Sequence, residues 1–327
     1  MCILELKKFL SFTYRNSNSL ASFDVSKDFV FIITQTHIHQ YCFRSPIPLA
    51  CRLTFVPVFG CFYKDRYFLA SKAELYYFKY SLHSLYKINA LAHTFFYKNN
   101  LITVDDRVLI YKICENGNDK CLSLENPSLL TQSINSQGKE TTDFDIEFYK
   151  ECSILNSSNG MVGIPSDSNG LCSAHCIFED KIFLGFENGI VGAVDGESLT
   201  SRACGTRLRL NVVEYFKDPV LTICVDDRFM FIHTLSYVFR IQSNNESMAC
   251  EKKIFTEIKA RKMLKYKEIL VLVQDKRLLF VDLDLKISKA YLSLFDIRDA
   301  KIVDDSLFVG CTNGLLCEYN VREIHSK

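Results

Sequence analysis

The sequence contains no tryptophan and only 13 glycines among its 327 residues. Lysine, asparagine, phenylalanine, tyrosine and isoleucine are abundant, which indicates AT-biased coding, so repeat signatures written in tryptophan and glycine are not expected to be intact. No apolar run approaches the roughly 18 residues that span a membrane. Residues 1–9 mix acidic and basic side chains into a short apolar run without a cleavage site, unlike a signal peptide. We therefore expect an intracellular protein, in the nucleus or the cytoplasm, with no membrane partner.

The sequence also lacks an excess of charge of one sign, since it has 39 basic and 38 acidic residues and a formal net charge of +1. This balance gives no global field for nucleic acid, so direct nucleic-acid binding is not expected. The basic stretch 252–267 is interpreted as a solvated face, with a patch for phosphate or an acidic partner as the alternative. The 14 cysteines form no Cys-x-x-Cys pair, and inside a cell they are expected to be reduced thiols.

Patterns that carry catalysis are absent as well. The sequence has no glycine-rich phosphate loop, no Gly-x-Ser-x-Gly element and no His-Glu-x-x-His motif. On a strand, Cys172 and Cys176 would face one side and His175 the other, which is poor geometry for three metal ligands. The acidic pairs at 105–106, 226–227 and 304–305 are interpreted as turns rather than as general acid–base groups. We expect no catalytic, cofactor-binding or metal-binding residues, no cofactor, no small-molecule substrate and no enzymatic activity.

Two distant segments, 180–195 and 305–320, share one pattern. Each has an apolar strand that ends near a glycine, then Asn-Gly, then a second apolar strand; the dipeptides are Asn188-Gly189 and Asn313-Gly314. Asn-Gly between two strand-like runs predicts a tight hairpin in which both central residues have positive φ. A hairpin that returns at a fixed phase favours a repeat architecture.

Short apolar strands recur along the whole chain about every 40 residues, the length of a four-stranded propeller blade. Each follows a charged or polar step, most are followed by a second strand, and strong helical periodicity is missing. The strands begin near Val30, Tyr67, Leu101, Cys152, Ile182, Phe229, Ile269 and Leu307. The pattern predicts an all-β β-propeller that forms one domain over residues 1–327, with a polar insertion at 113–143.

The number of blades follows from the spacing of these strands. The starts near Cys152 and Ile182 lie too close together for four strands each. The sequence therefore favours seven blades with an irregular region near 141–170, and eight blades remain the alternative. A strand around residues 3–6 is expected to complete the last blade beside residues 315–319, because an exposed strand edge there would invite aggregation.

The hairpins resemble the blades of the WD-repeat family, in which the third strand of each blade ends in Trp-Asp. The corresponding positions here are Val194-Asp195 and Tyr319-Asn320, so the resemblance rests on the phase and shape of the hairpins.

A narrower resemblance covers the middle of the chain. It is carried by residues 146–155 with 162–165, 170–173, 184–191 and 217–222. In that order these passages resemble the family of ASTRA-associated protein 1 and the guanine nucleotide-binding protein subunit beta-like protein 1. The resemblance implies a non-catalytic subunit of the ASTRA chromatin-associated assembly, or of the chaperone machinery that matures large phosphatidylinositol-3-kinase-like kinases.

Together, the residues and the resemblance predict a non-catalytic scaffold that binds protein partners in a multisubunit complex. Glu187 and Lys217, both expected to be exposed beside turns, are the candidate partner contacts. Three alternatives remain open: a WD-repeat subunit of a tRNA-modifying methyltransferase, a methylesterase of the diphthamide pathway, and a vesicle-coat propeller.

Overall fold

The computed structural model describes residues 6–11, 20–26, 28–42, 49–57, 59–63, 66–71, 74–78, 82–87, 93–104, 107–115, 144–157, 170–200, 207–242, 249–255 and 260–321. These residues form 28 strands and one short helix. Within them no helix is long and apolar enough to cross a membrane.

After the first strand, β1 (Leu6–Ser11), the strands follow one another in groups of four, which we name blades. Blade 1 holds β2 (Leu20–Val25), β3 (Phe29–Thr34), β4 (His37–Cys42) and β5 (Leu49–Arg52); blade 2 holds β6 (Phe59–Tyr63), β7 (Arg66–Ala70), β8 (Glu74–Phe78) and β9 (Leu82–Lys87). Blade 3 holds β10 (His93–Tyr97), β11 (Asn100–Val104), β12 (Arg107–Glu115) and β13 (Phe144–Ser157); blade 4 holds β14 (Cys172–Phe178), β15 (Lys181–Phe186), β16 (Ile190–Asp195), the helix α1 (Gly196–Thr200) and β17 (Arg207–Tyr215).

The remaining blades complete the list. Blade 5 holds β18 (Val220–Val225), β19 (Phe229–Thr234), β20 (Tyr237–Gln242) and β21 (Ala249–Phe255); blade 6 holds β22 (Lys262–Tyr266), β23 (Ile269–Val273), β24 (Arg277–Asp282) and β25 (Ile287–Leu292). Blade 7 holds β26 (Ile297–Val303), β27 (Ser306–Cys311) and β28 (Leu315–Asn320), with β1 as its fourth strand.

The blades close into a ring. Within each blade neighbouring strands are antiparallel and, apart from β1, lie in chain order. The first strands of successive blades contact one another in the cyclic order β2, β6, β10, β14, β18, β22, β26 and back to β2. This closed contact order confirms the predicted β-propeller, with seven blades rather than eight.

The ring is closed by the start of the chain. Strand β1 pairs with β28 in antiparallel register, from Leu6 opposite Tyr319 to Ser11 opposite Leu315. The prediction that an N-terminal strand completes the last blade is confirmed, although the strand spans Leu6–Ser11. Residues 3–5 of the predicted range lie outside the described residues.

The surplus strand start near Cys152 belongs to β13, the long outer strand of blade 3. Most of β13 pairs antiparallel with β12, but Ser153–Ser157 pairs in parallel with Arg207–Asn211 of β17, so blades 3 and 4 share one eight-stranded sheet. This strand accounts for the described part of the irregular region predicted near 141–170. Strand β12 extends through Glu115 and buries Ile113, so the predicted insertion at 113–143 starts inside a strand; residues 116–143 lie outside the described residues.

The apolar core lies between the blades. The second strands β3, β7, β11, β15, β19, β23 and β27 are buried along almost their whole length. Val30 and Ile32 pack with Phe308 of blade 7, whereas Phe31 stacks on Tyr67 of blade 2 with ring centroids 4.5 Å apart. The same alternation around the ring gives one apolar cluster for each of the seven blade interfaces. A second strand buried on both faces reads in the sequence as an uninterrupted apolar run.

The two Asn-Gly hairpins are three-residue loops. The N–H of Gly189 donates to the carbonyl of Phe186 at 3.0 Å, and Gly189 has a φ of 86°. Asn188 is not among the residues with positive φ, so the prediction of positive φ at both central positions is wrong for the asparagine. The reason is the longer loop, in which a type I turn is followed by one left-handed residue. The second hairpin repeats these features at Asn313 and Gly314.

Replacing either glycine with valine should destabilise the fold. We expect Gly314→Val to lower the free energy of unfolding by about 1–2 kcal/mol, because a β-branched residue resists positive φ. Gly189→Val should cost more, since a Cβ at Gly189 would also lie 1.9 Å from the carbonyl oxygen of Phe216. Urea unfolding measures both. Thr312→Val, which lies in the second hairpin but outside the positive-φ position, is the control. Urea midpoints equal to that of the wild type for both glycine variants would contradict the positive φ assigned to Gly189 and Gly314.

Candidate partner-binding face

The alternating strand directions give the ring two different faces. One face carries the turns between second and third strands together with the connections from each blade to the next. We name it the hairpin face. The opposite face carries the turns between first and second strands and between third and fourth strands.

Glu187 and Lys217 both lie on the hairpin face, and both are exposed. Glu187 is in the β15–β16 turn, where its N–H donates to the carbonyl of Leu171 at 2.9 Å. Lys217 follows Phe216, whose N–H donates to the carbonyl of Gly189 in the same turn at 2.9 Å. The hairpin of blade 4 is therefore tied to the connections that enter and leave the blade, and the two candidate contacts occupy neighbouring loops.

Exposed apolar side chains are concentrated on the same face. Nine large apolar residues of the described chain are exposed. Three of them, Leu49, Ile177 and Ile287, lie in strands near the opposite face. The other six lie in connections of the hairpin face or at strand ends that lead into it: Val56, Leu171, Tyr215, Leu292, Leu294 and Phe295. Such an uneven distribution is typical of a protein-binding surface.

A cleft on the hairpin face lies between blades 6 and 7. It encloses about 310 Å³ and is lined by Gln274, Asp275, Lys276, Arg277 and Asp296. The β23–β24 turn supplies the first residues of this lining and the β25–β26 connection supplies Asp296. The exposed segment from Leu292 to Phe295 adjoins the cleft.

Ion pairs link neighbouring blades around part of the ring, through their first strands and the turn after β18. Lys265 pairs with Asp226 at 2.9 Å, Lys262 with Asp299 at 2.9 Å, and Lys301 with Asp24 at 2.8 Å. Burial opposes the ionisation of Asp226, but Lys265 and the N–H groups of Arg228 and Phe229 outweigh it and lower its pKa. These ion pairs link neighbouring blades, and because the charges are already paired they are poorly suited to binding a ligand.

The pairing also changes the interpretation of the basic stretch 252–267. Arg261 and Lys267 form ion pairs with Asp275 at 2.7 Å and Asp305 at 3.5 Å, in addition to the pairs of Lys262 and Lys265. Four cations of the stretch thus neutralise carboxylates of the fold, so this part is neither a simple solvated face nor a free cationic patch.

Two histidines that are distant in sequence meet between blades 3 and 4. The Nε2 atom of His93 lies 2.8 Å from Nδ1 of His175, and the His175 ring stacks on Phe95 at 4.3 Å. Burial lowers the pKa of His93 to about 4; burial and the neighbouring His93 lower the pKa of His175 to about 3. Both rings are therefore neutral near pH 7, and one donates an N–H to the other. Sequence spacing does not predict this pair, because its members lie on different blades.

The predicted geometry of the Cys172–Cys176 segment is wrong. A bulge between Cys172 and Ala174 reverses the alternation of side chains, so Cys172 faces blade 3 and Cys176 packs towards blade 5. Burial raises the pKa of the Cys172 thiol to about 12, which makes it a poor nucleophile. Among the described residues no three His, Cys, Asp or Glu side chains are grouped as metal ligands.

Two of the three acidic pairs that the sequence predicts to lie in turns, 226–227 and 304–305, are described and lie there. Asp226 accepts N–H bonds from Arg228 and Phe229 at 2.8 and 2.7 Å in the β18–β19 turn. Asp304 has a φ of 51°, and Asp305 accepts a hydrogen bond from Tyr266. The pair at 105–106 lies outside the described residues.

Comparison with known proteins identifies the fold. No protein-family model and no curated protein matches the chain. The WD40 β-propeller domain of Doa1 matches with a TM-score of 0.62 and 9% identity over 99% of each chain. BBS1N in complex with ARL6DN matches with a TM-score of 0.62 and 10% identity, over 93% of this chain and 92% of that chain. BamB from Moraxella catarrhalis matches with a TM-score of 0.58 and 7% identity, over 90% of this chain and 82% of that chain. The chain has the fold of a WD40 β-propeller.

The WD-repeat signature positions have other uses in this propeller. Val194 is buried in the interface between blades 3 and 4, and Asp195 accepts N–H and O–H bonds from Ser198 at 3.1 and 2.8 Å. Tyr319 is buried between blades 6 and 7, where its hydroxyl lies 2.8 Å from that of Tyr291. Buried Val194 and Tyr319 stand where the family has tryptophan, and Asp195 keeps the aspartate and caps the start of α1.

His233 should make the protein less stable in acid. It is fully buried, neither ring nitrogen has a hydrogen-bond partner among the residues that the structure describes, and burial lowers its pKa to about 4. The unfolded chain binds this proton near the ordinary pKa of about 6.5, so stability is retained above pH 6.5 and lost as pH falls towards 4, by about 1.4 kcal/mol per unit. We expect His233→Ile to remove about 2 kcal/mol of the loss between pH 7.5 and pH 5.

Urea unfolding at the two pH values measures this effect. The matched control is Ile33→His, which places a histidine at the equivalent position of β3 and should steepen the acid loss. An unchanged pH dependence in His233→Ile would refute the expected titration.

Proposed function

We propose that this protein is a non-catalytic scaffold that holds a protein partner on its hairpin face. The observation that carries the proposal is the location of the exposed apolar side chains, six of which lie on or at the edge of that face. Side chains that converge on a reaction centre would be polar and mutually close, whereas the charged groups described between the first strands are paired across blade interfaces. A rigid ring with apolar loops on one face is suited to protein binding.

A structure with the same fold supports this proposal. BBS1N, which matches the chain at a TM-score of 0.62, is in a complex with ARL6DN. A propeller of this size therefore can present a surface to a protein partner. The likeness is one of fold, so the partner of this chain has to be inferred from its own residues.

The partner class is inferred from the passages that resemble the ASTRA-associated family. Three of them, 170–173, 184–191 and 217–222, meet on the hairpin face of blades 4 and 5. Leu171 accepts a hydrogen bond from Glu187 at 2.9 Å, and the Ser173 hydroxyl donates to the carbonyl of Val220 at 2.5 Å. We infer that the partner is a component of an ASTRA-type chromatin-associated assembly or of the kinase-maturation chaperone machinery.

In this proposal the whole chain acts as one propeller domain inside the cell, in the nucleus or the cytoplasm. Glu187 and Lys217 are its candidate contacts, because their exposed charges flank the place where the resembling passages meet. Neither side chain is needed for the fold, since the hydrogen bonds described in their turns are made by backbone atoms and by the Asn188 side chain.

Charge reversal at these two residues should weaken partner binding and leave the fold intact. We expect Glu187→Lys and Lys217→Glu each to reduce recovery of the partner in affinity purification followed by mass spectrometry. Both variants should melt at the wild-type temperature, because surface substitutions away from buried networks change stability by within about 0.5 kcal/mol.

Matched controls are available on the opposite face. Asp227→Lys and Lys286→Glu reverse exposed charges there and should not change recovery. Recovery of a tRNA methyltransferase, of coat subunits, or of the diphthamide pathway in place of chaperone or ASTRA components would overturn the partner class. An equal loss of partner recovery in all four variants would contradict the assignment of the hairpin face as the binding surface.

A further inference from the structure

Three of the four residues from Leu292 to Phe295 are large, apolar and exposed. Leu294 is 89% exposed, Leu292 60% and Phe295 43%, which makes Leu294 the most exposed large apolar side chain of the described residues. Single exposed apolar residues are ordinary, but three within one short connection form a patch.

The backbone under the patch is held in place. The N–H of Ser293 donates to the carbonyl of Lys276 at 2.9 Å, and the N–H of Ile297 donates to the carbonyl of Asp275 at 2.5 Å. The carbonyl of Asp296 accepts the N–H of Thr312 from blade 7 at 2.9 Å. The connection is thus fixed to both neighbouring blades. Side chains on a fixed backbone lose less freedom when a ligand binds.

The charges beside the patch leave one cation available. Arg261 pairs with Asp275 at 2.7 Å, and Lys276 lies 3.6 Å from Asp296. Arg277 is exposed and has no ion-pair partner among the described residues. It lies directly opposite Leu292 in the pairing of β24 with β25. Arg277 therefore lies beside the apolar patch, and it is the lining cation whose charge no described carboxylate pairs.

We propose that the cleft between blades 6 and 7 binds an extended peptide segment of the partner, in which a carboxylate side chain pairs with Arg277 and a neighbouring apolar side chain packs on Leu292 and Leu294. The proposal rests on the proposed scaffold function and adds the chemistry of the bound segment. A cleft of about 310 Å³ admits one or two side chains. Arginine binds carboxylates through two parallel hydrogen bonds, so it favours an acidic residue over other polar ones.

Selection from a random 12-residue phage-displayed peptide library on the purified full chain tests the proposal. We expect enriched peptides to carry Asp or Glu close to Leu, Ile or Phe. A fluorescein-labelled copy of an enriched peptide should bind at least about tenfold more weakly to Arg277→Glu and to Leu294→Ser, since the first reverses the charge that pairs with the peptide carboxylate and the second removes the apolar side chain on which the peptide packs. The affinity of the peptide should also fall as the salt concentration is raised, because the ion pair between its carboxylate and Arg277 would be exposed to solvent at the rim of the cleft.

Controls on the same blade separate the cleft from the rest of the surface. Lys286→Glu reverses an exposed cation near the opposite face, and Ile287→Ser removes an apolar side chain that is 59% exposed. Both should bind the peptide as wild type does, and all four variants should keep the wild-type melting temperature.

Several results would overturn the proposal. These are the absence of any enriched motif, a motif without a carboxylate, equal binding to wild type and both cleft variants, or a wild-type dimer that Leu294→Ser converts to a monomer. The last result would assign the patch to a second copy of this chain. Peptide binding that is lost only in Glu187→Lys would refute the cleft as the peptide site and leave the proposed scaffold function intact. Retained peptide binding without recovery of any protein partner would refute the scaffold function instead.

Discussion

Burial of the second strand of every blade on both of its faces is the constraint on which the rest of the structure depends. A single blade would leave both of its apolar faces open to water, and a row of blades would leave one open face at each end. The ring covers these two end faces by joining blade 7 to blade 1. There Phe308 packs into the cluster of Leu20 and Phe23, and a Cβ at Gly310 would lie only 2.4 Å from Leu20. The pair of Lys301 with Asp24 joins the same two blades, so the closing interface is as specific as any other.

The sequence predicts the buried second strand of each blade but not the exposed outer strand. Strand starts at Val30, Tyr67 and Leu101 are second strands, and they are visible because burial on both faces demands an uninterrupted apolar run. Outer strands such as β25 are mostly exposed and give no such signal. The start near Cys152 resembles a second strand because β13 pairs with two partners, β12 and β17. Only the contact order of the first strands separates seven blades from eight.

The candidate site is predictable only where local turn chemistry decides it. Exposure of Glu187 and Lys217 follows from neighbouring turn residues, and the structure places both on one face. The His93–His175 contact joins two blades, so no local spacing could indicate it. The segment from Leu292 to Phe295 reads in the sequence as an apolar run, and apolar runs are ordinarily buried. Its exposure becomes visible only once the fold makes it a connection between blades, beside Arg277, for which the described residues supply no ion-pair partner.

The closure of the ring by β1 can be measured most directly by disulfide trapping. Position 9 lies opposite Cys317 and position 10 lies opposite Leu316. Facing residues on antiparallel strands are close enough for a disulfide, whereas neighbours along a strand point to opposite sides of the sheet. Under native oxidising conditions, Phe9→Cys should form a disulfide with Cys317 that peptide mapping detects, and Leu10→Cys should not. A closed ring predicts this contrast; absence of the Phe9→Cys link, or its formation with a cysteine of another blade, would contradict the account.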